Sequence, residues 1–234
     1  MFLKKYGFLT IVVLTYCCMV ALAVFYRTDY FLIEQVEVKG LKTVSKKELL
    51  RRMGIRPGYS SMLFSSKDAR REMLNNPWIK RVGIKRELPG KVTIEIEEER
   101  PFCLYLDQNS NLVYLSEEGK KLGAPNITYG LDFPVLISQG IEGRELLRNA
   151  IQILKLSLES SVLSWNEISE INLDSIYGLS VFTRDRRRID FGFNNIAVKW
   201  NRVEKIISHS RSINLTEKYI NINSESTGVV SFKF

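Results

Sequence analysis

The sequence predicts an α+β protein: an apolar amino-terminal helix, a β-α-α-β-β module, and a β-rich domain carrying two helices. Three observations predict this. Tyr6 to Tyr26 holds no charge, in a chain that is 26% charged. Between residues 33 and 98 the apolar periodicity runs strand, helix, helix, strand, strand. From residue 101 onward, short alternating runs dominate, broken by two segments of helical period.

The stretch Tyr6–Tyr26 reads YGFLTIVVLTYCCMVALAVFY. As a helix rising ~1.5 Å per residue it spans roughly 30 Å, the thickness of a bilayer core. A helix also satisfies its own backbone polar groups, which hydrocarbon requires. Lys4 and Lys5 precede it, Arg27 and Asp29 follow it, and aromatics gather at both ends: Tyr6 and Phe8, then Phe25, Tyr26, Tyr30 and Phe31. Such flanks make an interfacial belt, and the lysines place the amino terminus in the cytoplasm and the body outside. The expected layout is a stub at 1–5, a transmembrane helix at 6–26 and a juxtamembrane link at 27–32. A cleaved signal peptide competes through Ala21-Leu22-Ala23, but the apolar run exceeds the usual ~7–15 residues and continues through Val24-Phe25-Tyr26. A lipoprotein signal at Leu14–Cys17 has bulky Tyr16 where a small residue belongs. A buried core helix conflicts with the unbroken apolarity.

Hydrophobic content of 45% with 11% aromatics argues for packed domains. The net charge is +8, or +6 (8 − 2) with Lys4 and Lys5 left on the cytoplasmic side. An exported body meets no nucleic acid, so anionic lipid or acidic wall polymer fits this excess better, and solubility alone accounts for it equally. Of the three cysteines, Cys17 and Cys18 lie in the apolar stretch. Cys103 then has no partner for an intramolecular disulfide, and its run FCLYL makes it a small buried apolar residue.

In the first module, Ile33–Gly40 alternates as a half-buried strand with Val36 and Val38 on one face. Ser45 and Glu48 fit a capping box ahead of a helix whose Leu49, Leu50 and Met53 face inward and which Gly54 closes. After Pro57-Gly58 and a loop with Met62, Leu63 and Phe64, a second helix starts near Ser65/Ser66. It turns Ala69, Met73 and Leu74 inward and stops before Pro77. Strands Ile79–Arg86 and Lys91–Glu98 flank the turn Leu88-Pro89-Gly90. Pairing Ile84 with Ile94 brings Val82 to Ile96 and Arg81 to Glu97, with Thr93, Glu95 and Glu97 outward. Two amphipathic helices then cover a three-stranded sheet.

Beyond Arg100-Pro101, strands are expected at Phe102–Asp107, Leu112–Leu115, Phe133–Ile137, Glu167–Leu173, Gly178–Thr183, Arg188–Phe193, Lys218–Asn223 and Val229–Phe234. One helix runs from Arg144 to about Ser160, burying Leu146, Leu147, Ala150, Ile151, Leu154 and Leu158. Another runs from Ile196 to about Ser210, burying Ile196, Trp200, Val203, Ile206 and Ile207. The expected domains are 33–100 and 101–234.

Catalytic constellations are missing. His209 is the only histidine, and it sits at a helix end without metal-ligand spacing around it. Glu95 and Glu97 alternate with Ile94 and Ile96 as a solvated strand face, and Gly90 and Gly119 are isolated turn glycines rather than a phosphate loop. Arg184-Asp185-Arg186-Arg187-Arg188 reads as a solvated hairpin turn, or alternatively as a contact for anionic lipid or an acidic partner. No enzyme activity, cofactor, metal or small-molecule substrate is expected.

The apolar helix followed by IEQVEVKGLKTVS and NPWIKRVGIKRELPGKVTIEIEEERPF resembles the POTRA module of the bacterial division proteins FtsQ and DivIB. The resemblance rests on Pro77, Trp78, Ile79 and Val82, on Arg86, Leu88 and Pro89, and on Glu98, Arg100 and Pro101. Phe133-Pro134-Val135-Leu136, Phe191-Gly192 and Tyr219–Ile222 resemble the family's β-domain. The resemblance implies a bitopic inner-membrane scaffold at the division septum. It implies binding to FtsB- and FtsL-like bitopic partners, contact with other divisome components, and a part in controlling septal peptidoglycan synthesis. It further implies that the last strand accepts a strand from the FtsB-like partner. The matching positions are Tyr219, Ile220, Ile222 and Asn223, then Gly228, Val229, Val230, Ser231 and Phe232. Asn221 and Asn223 lack the acidic and basic residues the family often carries there, and Ser224 replaces an aromatic. Another POTRA-bearing docking or chaperone module is the alternative, and a membrane-anchored wall enzyme is a third reading.

Overall fold

The computed structural model describes residues 2–27, 32–60, 64–139, 143–224 and 227–233. The chain divides into two compact units, Met1–Glu98 and Glu99–Phe234.

The first unit opens with α1 (Phe2–Arg27). Its side chains are described from Thr10 to Val24, and these include exposed Ile11, Leu14, Met19, Leu22 and Val24. Among the described residues no helix is long and apolar enough to cross a membrane. The side chains of Tyr6, Phe8, Phe25 and Tyr26, expected to flank a span, lie outside the description, as do residues 28–31 of the link and Met62 and Leu63.

The remainder of this unit is β1 (Gln35–Lys39), α2 (Lys46–Met53), α3 (Ser66–Leu74), β2 (Ile79–Glu87) and β3 (Lys91–Glu98). The sheet order is β1-β3-β2. β1 runs parallel to β3, so the two helices form the crossover that a parallel pair requires. The β2–β3 register pairs Ile84 with Ile94, Val82 with Ile96 and Arg81 with Glu97, as the alternation requires, and Arg81 Nε lies 2.7 Å from Glu97 Oε2. Leu49, Ala69, Met73, Ile79, Val82, Val92, Ile94 and Ile96 make the core. Each large side chain buried there contributes about 1.5–3 kcal/mol.

Three expectations for this unit are corrected. The Ser45–Glu48 capping box does not form: the Ser45 side chain makes no cap bond, and Glu48 Oε1 accepts from Arg52 at 2.9 Å. A carboxylate from the far strand acts there instead. Glu98 accepts the N–H groups of Lys42 (2.9 Å), Thr43 (2.9 Å) and Val44 (3.0 Å), fixing the turn into α2. Thr93, expected outward, is buried because β3 is the central strand. Leu74, expected inward, is exposed at the last residue of α3.

The second unit is one nine-stranded sheet among the described residues, in the order β12-β11-β10-β9-β8-β7-β4-β5-β6. The strands are β4 (Cys103–Leu106), β5 (Leu112–Leu115), β6 (Lys121–Gly123), β7 (Val135–Gln139), β8 (Ile168–Asp174), β9 (Gly178–Thr183), β10 (Arg188–Gly192), β11 (Glu217–Asn221) and β12 (Val229–Phe232). Helix α4 (Arg144–Glu159) connects parallel β7 and β8, and α5 (Ile196–Ser212) connects parallel β10 and β11. The helices pack on each other and on the sheet, so they share one face. Ile153 and Ser157 of α4 are buried where Leu158 was expected, and Leu158 is exposed. The buried stripe of α4 is therefore rotated toward the 150, 153, 154 and 157 positions. The short strand β6 is not among the strands expected from the sequence. A 3-10 turn at Trp165–Glu167 carries the real capping box, with Ser164 and Glu167 as its two ends.

Candidate partner-binding edge

Strand β12 lies at one end of the nine-stranded order and pairs only with β11 among the described residues. Its register sets Val229 opposite Asn221, Val230 opposite Ile220, Ser231 opposite Tyr219 and Phe232 opposite Glu217. Lys233 N–H donates inward to Thr216 O at 2.8 Å. The alternation of an antiparallel ladder then turns the backbone groups of Phe232 and Val230 toward the open side. An edge of this kind offers free donors and acceptors to another strand.

The residues expected at this site fall into three sets. Ile220 and Ile222 are fully buried, so their side chains belong to the core and only their backbone lies near the edge. Val230 packs partly against the same core. Asn223, Gly228, Val229 and Ser231 are exposed, while Tyr219 and Phe232 are half-buried. Gly192 in β10 adopts φ +69, and a Cβ there would lie 1.9 Å from Asn223 Oδ1, so the Asn223 side chain occupies space that only a glycine leaves.

The sheet face away from the helices carries an ordered polar network across β9, β10 and β11. Ser180 Oγ and Arg188 Nε donate to Asp190 Oδ1 at 2.7 and 2.9 Å. Tyr219 Oη donates to Asp190 Oδ2 at 2.7 Å, and Asn221 Nδ2 donates to Tyr219 Oη at 2.8 Å. The Arg188 guanidinium lies 5.6 Å from the Phe182 ring centroid and 5.8 Å from that of Tyr219. Partial burial, with the Asp190 carboxylate, raises the Tyr219 phenol above its ordinary range, and Arg188 is held more basic by its bond to Asp190. Direct pairing places Tyr219 beside Ser231 and Asn221 beside Val229, so the network continues to the β12 edge on one face.

The run 184–188 is not a free basic patch. Arg187 is buried, with Nε 3.3 Å from Glu217 Oε2, itself buried, and Nη2 3.2 Å from Asp185. Arg184 reaches Asp132 at 2.6 Å and Arg188 is committed to Asp190. Lys233 Nζ donates to Asp185 O at 2.8 Å, tying the residue after β12 to the same turn. Composition alone cannot reveal that one of five turn residues folds inward. The lone Glu217 at the start of an apolar strand is the signal that points to it.

An FtsQ-type POTRA unit followed by a β-domain defines the class: the family model "POTRA domain, FtsQ-type" matches residues 31–99, and "Cell division protein FtsQ/DivIB, C-terminal" matches residues 104–223. The second match ends before β12 begins. Relatives include the cell division protein FtsQ of Geobacter sp. (strain M21), 32% identical over 164 residues, covering 67% of this chain and 60% of the relative. FtsQ of Geotalea daltonii is 24% identical over 204 residues, covering 84% and 74%. Cell division protein DivIB of Clostridium tetani is 20% identical over 224 residues, covering 89% and 82%. The chain belongs to the FtsQ/DivIB family of cell division proteins.

Proposed function

We propose that this chain is a non-enzymatic, membrane-anchored scaffold of the division machinery, and that β12 receives an added strand from an FtsB-like partner held with an FtsL-like protein. The observation that carries the reading is the open edge of β12, continuous with the ordered face formed by Tyr219 and Asn221. In strand addition the main chain supplies affinity and flanking side chains supply selectivity. Val229 and Ser231 border the edge on the polar face, and Val230 and Phe232 border it on the other.

In this reading α1 is a single transmembrane anchor over Tyr6–Tyr26, with the amino terminus cytoplasmic and residues 33–100 and 101–234 outside the cytoplasm at the septum. Support comes from the charge-free sequence and from exposed apolar side chains such as Leu14, Met19 and Leu22 along the described part of α1. Assembly with other divisome components then lets the scaffold take part in controlling septal peptidoglycan synthesis.

Phe232→Pro tests the edge directly. Proline is tolerated where a strand N–H faces away from the ladder, so β11–β12 pairing survives while one donor and the approach of a new strand are lost. Co-purification of the FtsB-like partner should disappear with the far-ultraviolet spectrum unchanged. Retained co-purification would contradict strand addition at β12.

A further inference from the structure

We infer that one end of the first unit is a foot that rests on an anionic bilayer surface, with Tyr59 and Leu88 entering the headgroup layer and Arg51, Arg56 and Lys67 facing lipid phosphates. The inference rests on the anchor reading above and adds which surface of the folded unit meets the membrane. Hydrogen bonds of the arriving chain identify that end. Ile33 N–H donates to Tyr59 O at 2.8 Å, and Gly58 N–H donates to Ile33 O at 2.9 Å. Leu32 forms a bridge with Ser60. On the other side, Glu34 N–H donates to Gly90 O at 2.8 Å. The chain coming from α1 is therefore clamped between the α2–α3 connection and the β2–β3 turn. From Arg27 to Leu32 there are five Cα steps, which reach at most about 18 Å. An anchored α1 holds both loops within that distance of its end.

Both loops display large apolar groups to solvent. Tyr59 is 57% exposed and Leu88 60% exposed, at the tips nearest the arriving chain. More than half of each residue's surface faces solvent, and a bilayer interface accepts both a tyrosine and a leucine.

Exposed cations without an ion pair among the described residues also occur elsewhere in the unit, at Lys42, Lys46, Lys47 and Arg70, so the tether selects this end and charge then assists it. On the outer face of the sheet each cation has an acidic neighbour: Lys39 and Lys91 with Glu37, Arg81 with Glu97, Lys85 with Glu95. On the helical side, Arg52 pairs with Glu48 and Arg71 with Asp68. Arg51 in the last turn of α2, Arg56 in the connection and Lys67 at the start of α3 are exposed, and no acidic side chain lies within ion-pair distance of them among the described residues. The acidic groups at this end are Glu87, which pairs with Lys91, Asp68, which pairs with Arg71, Glu48, which pairs with Arg52 and also feels Arg51, and exposed Glu34. Three cations against one free carboxylate leave the end positive. Each basic side chain near an anionic surface is worth about 1 kcal/mol, so these three suffice to bias a unit already tethered there.

The full chain in phosphatidylcholine vesicles containing phosphatidylglycerol tests this. Environment-sensitive nitrobenzoxadiazole labels are placed through Tyr59→Cys, Leu88→Cys, Lys46→Cys or Val13→Cys, on a Cys17→Ser/Cys18→Ser background that leaves only the buried Cys103. Lipids spin-labelled in the headgroup region quench whatever lies among them, and lipids labelled in the acyl chains report the anchor. The inference predicts headgroup quenching at 59 and 88, none at 46 in the first turn of α2, and acyl-chain quenching at 13. Removing phosphatidylglycerol, or introducing Arg51→Gln with Arg56→Gln, should lower the docking equilibrium at 59 and 88 roughly tenfold or more at low salt. Labels at 59 and 88 that stay unquenched while 13 is quenched would overturn the foot and leave the anchor standing. Equal quenching at 46, or quenching indifferent to lipid charge and to the arginines, would also overturn it. An unquenched label at 13 would overturn the anchor and the foot together.

Discussion

The two ends of the nine-stranded sheet solve the same physical problem in opposite ways. An edge strand presents unpaired backbone groups and invites other chains to pair with it. At one end, β6 is three residues long, its register breaks between Tyr114 and Leu115, and it carries Lys121, whose ammonium sits 4.8 Å from the Tyr105 ring centroid. Brevity, irregularity and a lysine all blunt an edge. At the other end, β12 is four residues long and reads Val-Val-Ser-Phe, without charge; its ladder breaks between Glu217 and Tyr219 and is regular from Tyr219 to Asn221. The molecule protects one edge and leaves the other available, and the available edge is the one backed by the Asp190–Tyr219–Asn221 network. The difference teaches that the two edges are told apart by the charge each carries and by the face behind it.

The largest effect is expected where the two ends differ most underneath. The buried Arg187–Glu217 pair anchors the residue of β11 that faces Phe232. Among the described residues, Glu217 Oε1 and Arg187 Nε have no hydrogen-bond partner, so the pair carries desolvation that its mutual attraction and the Asp185 carboxylate at Arg187 Nη2 must offset. Glu217→Ala leaves the buried guanidinium with Asp185 as its remaining carboxylate and should cost about 3 kcal/mol in urea unfolding, the low end for breaking a buried pair, whereas Glu217→Leu with Arg187→Met should recover most of it. A small loss in the single variant would show that water reaches the pair.

Next in size is partner binding. Phe232→Pro should weaken the FtsB-like partner by at least about tenfold, or 1.4 kcal/mol. Lys121→Glu, at the blunted edge, should leave that affinity unchanged, and an equal loss in both would erase the distinction between the ends. Tyr219→Phe, read by thermal unfolding, should cost about 1 kcal/mol, since it removes the hydroxyl that links Asp190 and Asn221.

The last effect is alkaline and small at neutral pH. Burial pushes the Cys103 thiol up from 9.0 to about 12, and Tyr219 is raised in the same direction. Groups more basic in the folded state contribute stability below their unfolded values and lose it as pH rises toward the folded ones. Stability should therefore decline from about pH 9 toward about pH 12, and Cys103 should resist iodoacetamide at pH 9 until the protein is unfolded. Rapid modification of the native thiol would show that β4 opens locally.

The first unit was legible almost pair by pair, because alternation in β2 and β3 leaves one register that keeps Val82, Ile84, Ile94 and Ile96 together. Features that depend on distant partners were not legible. Ser45 has a capping sequence, yet Glu98, more than fifty residues away, holds the turn before α2. Leu158 fits the α4 stripe by spacing, yet the crossover onto β8 selects Ile153 and Ser157. At the candidate site the strands were readable, but the division of labour was not: nothing local separates buried Ile220 and Ile222 from exposed Val229. The inward turn of Arg187 needed Glu217 from another element.

The most direct test of the account is residue-resolved amide hydrogen exchange of the chain with and without the extracytoplasmic segment of the FtsB-like partner. If the partner adds a strand to β12, the amides of Val230 and Phe232, which face the open side, gain protection, while those of β6 do not change. Protection confined to other strands, or unchanged exchange at Val230 and Phe232 in a saturated complex, would contradict the account.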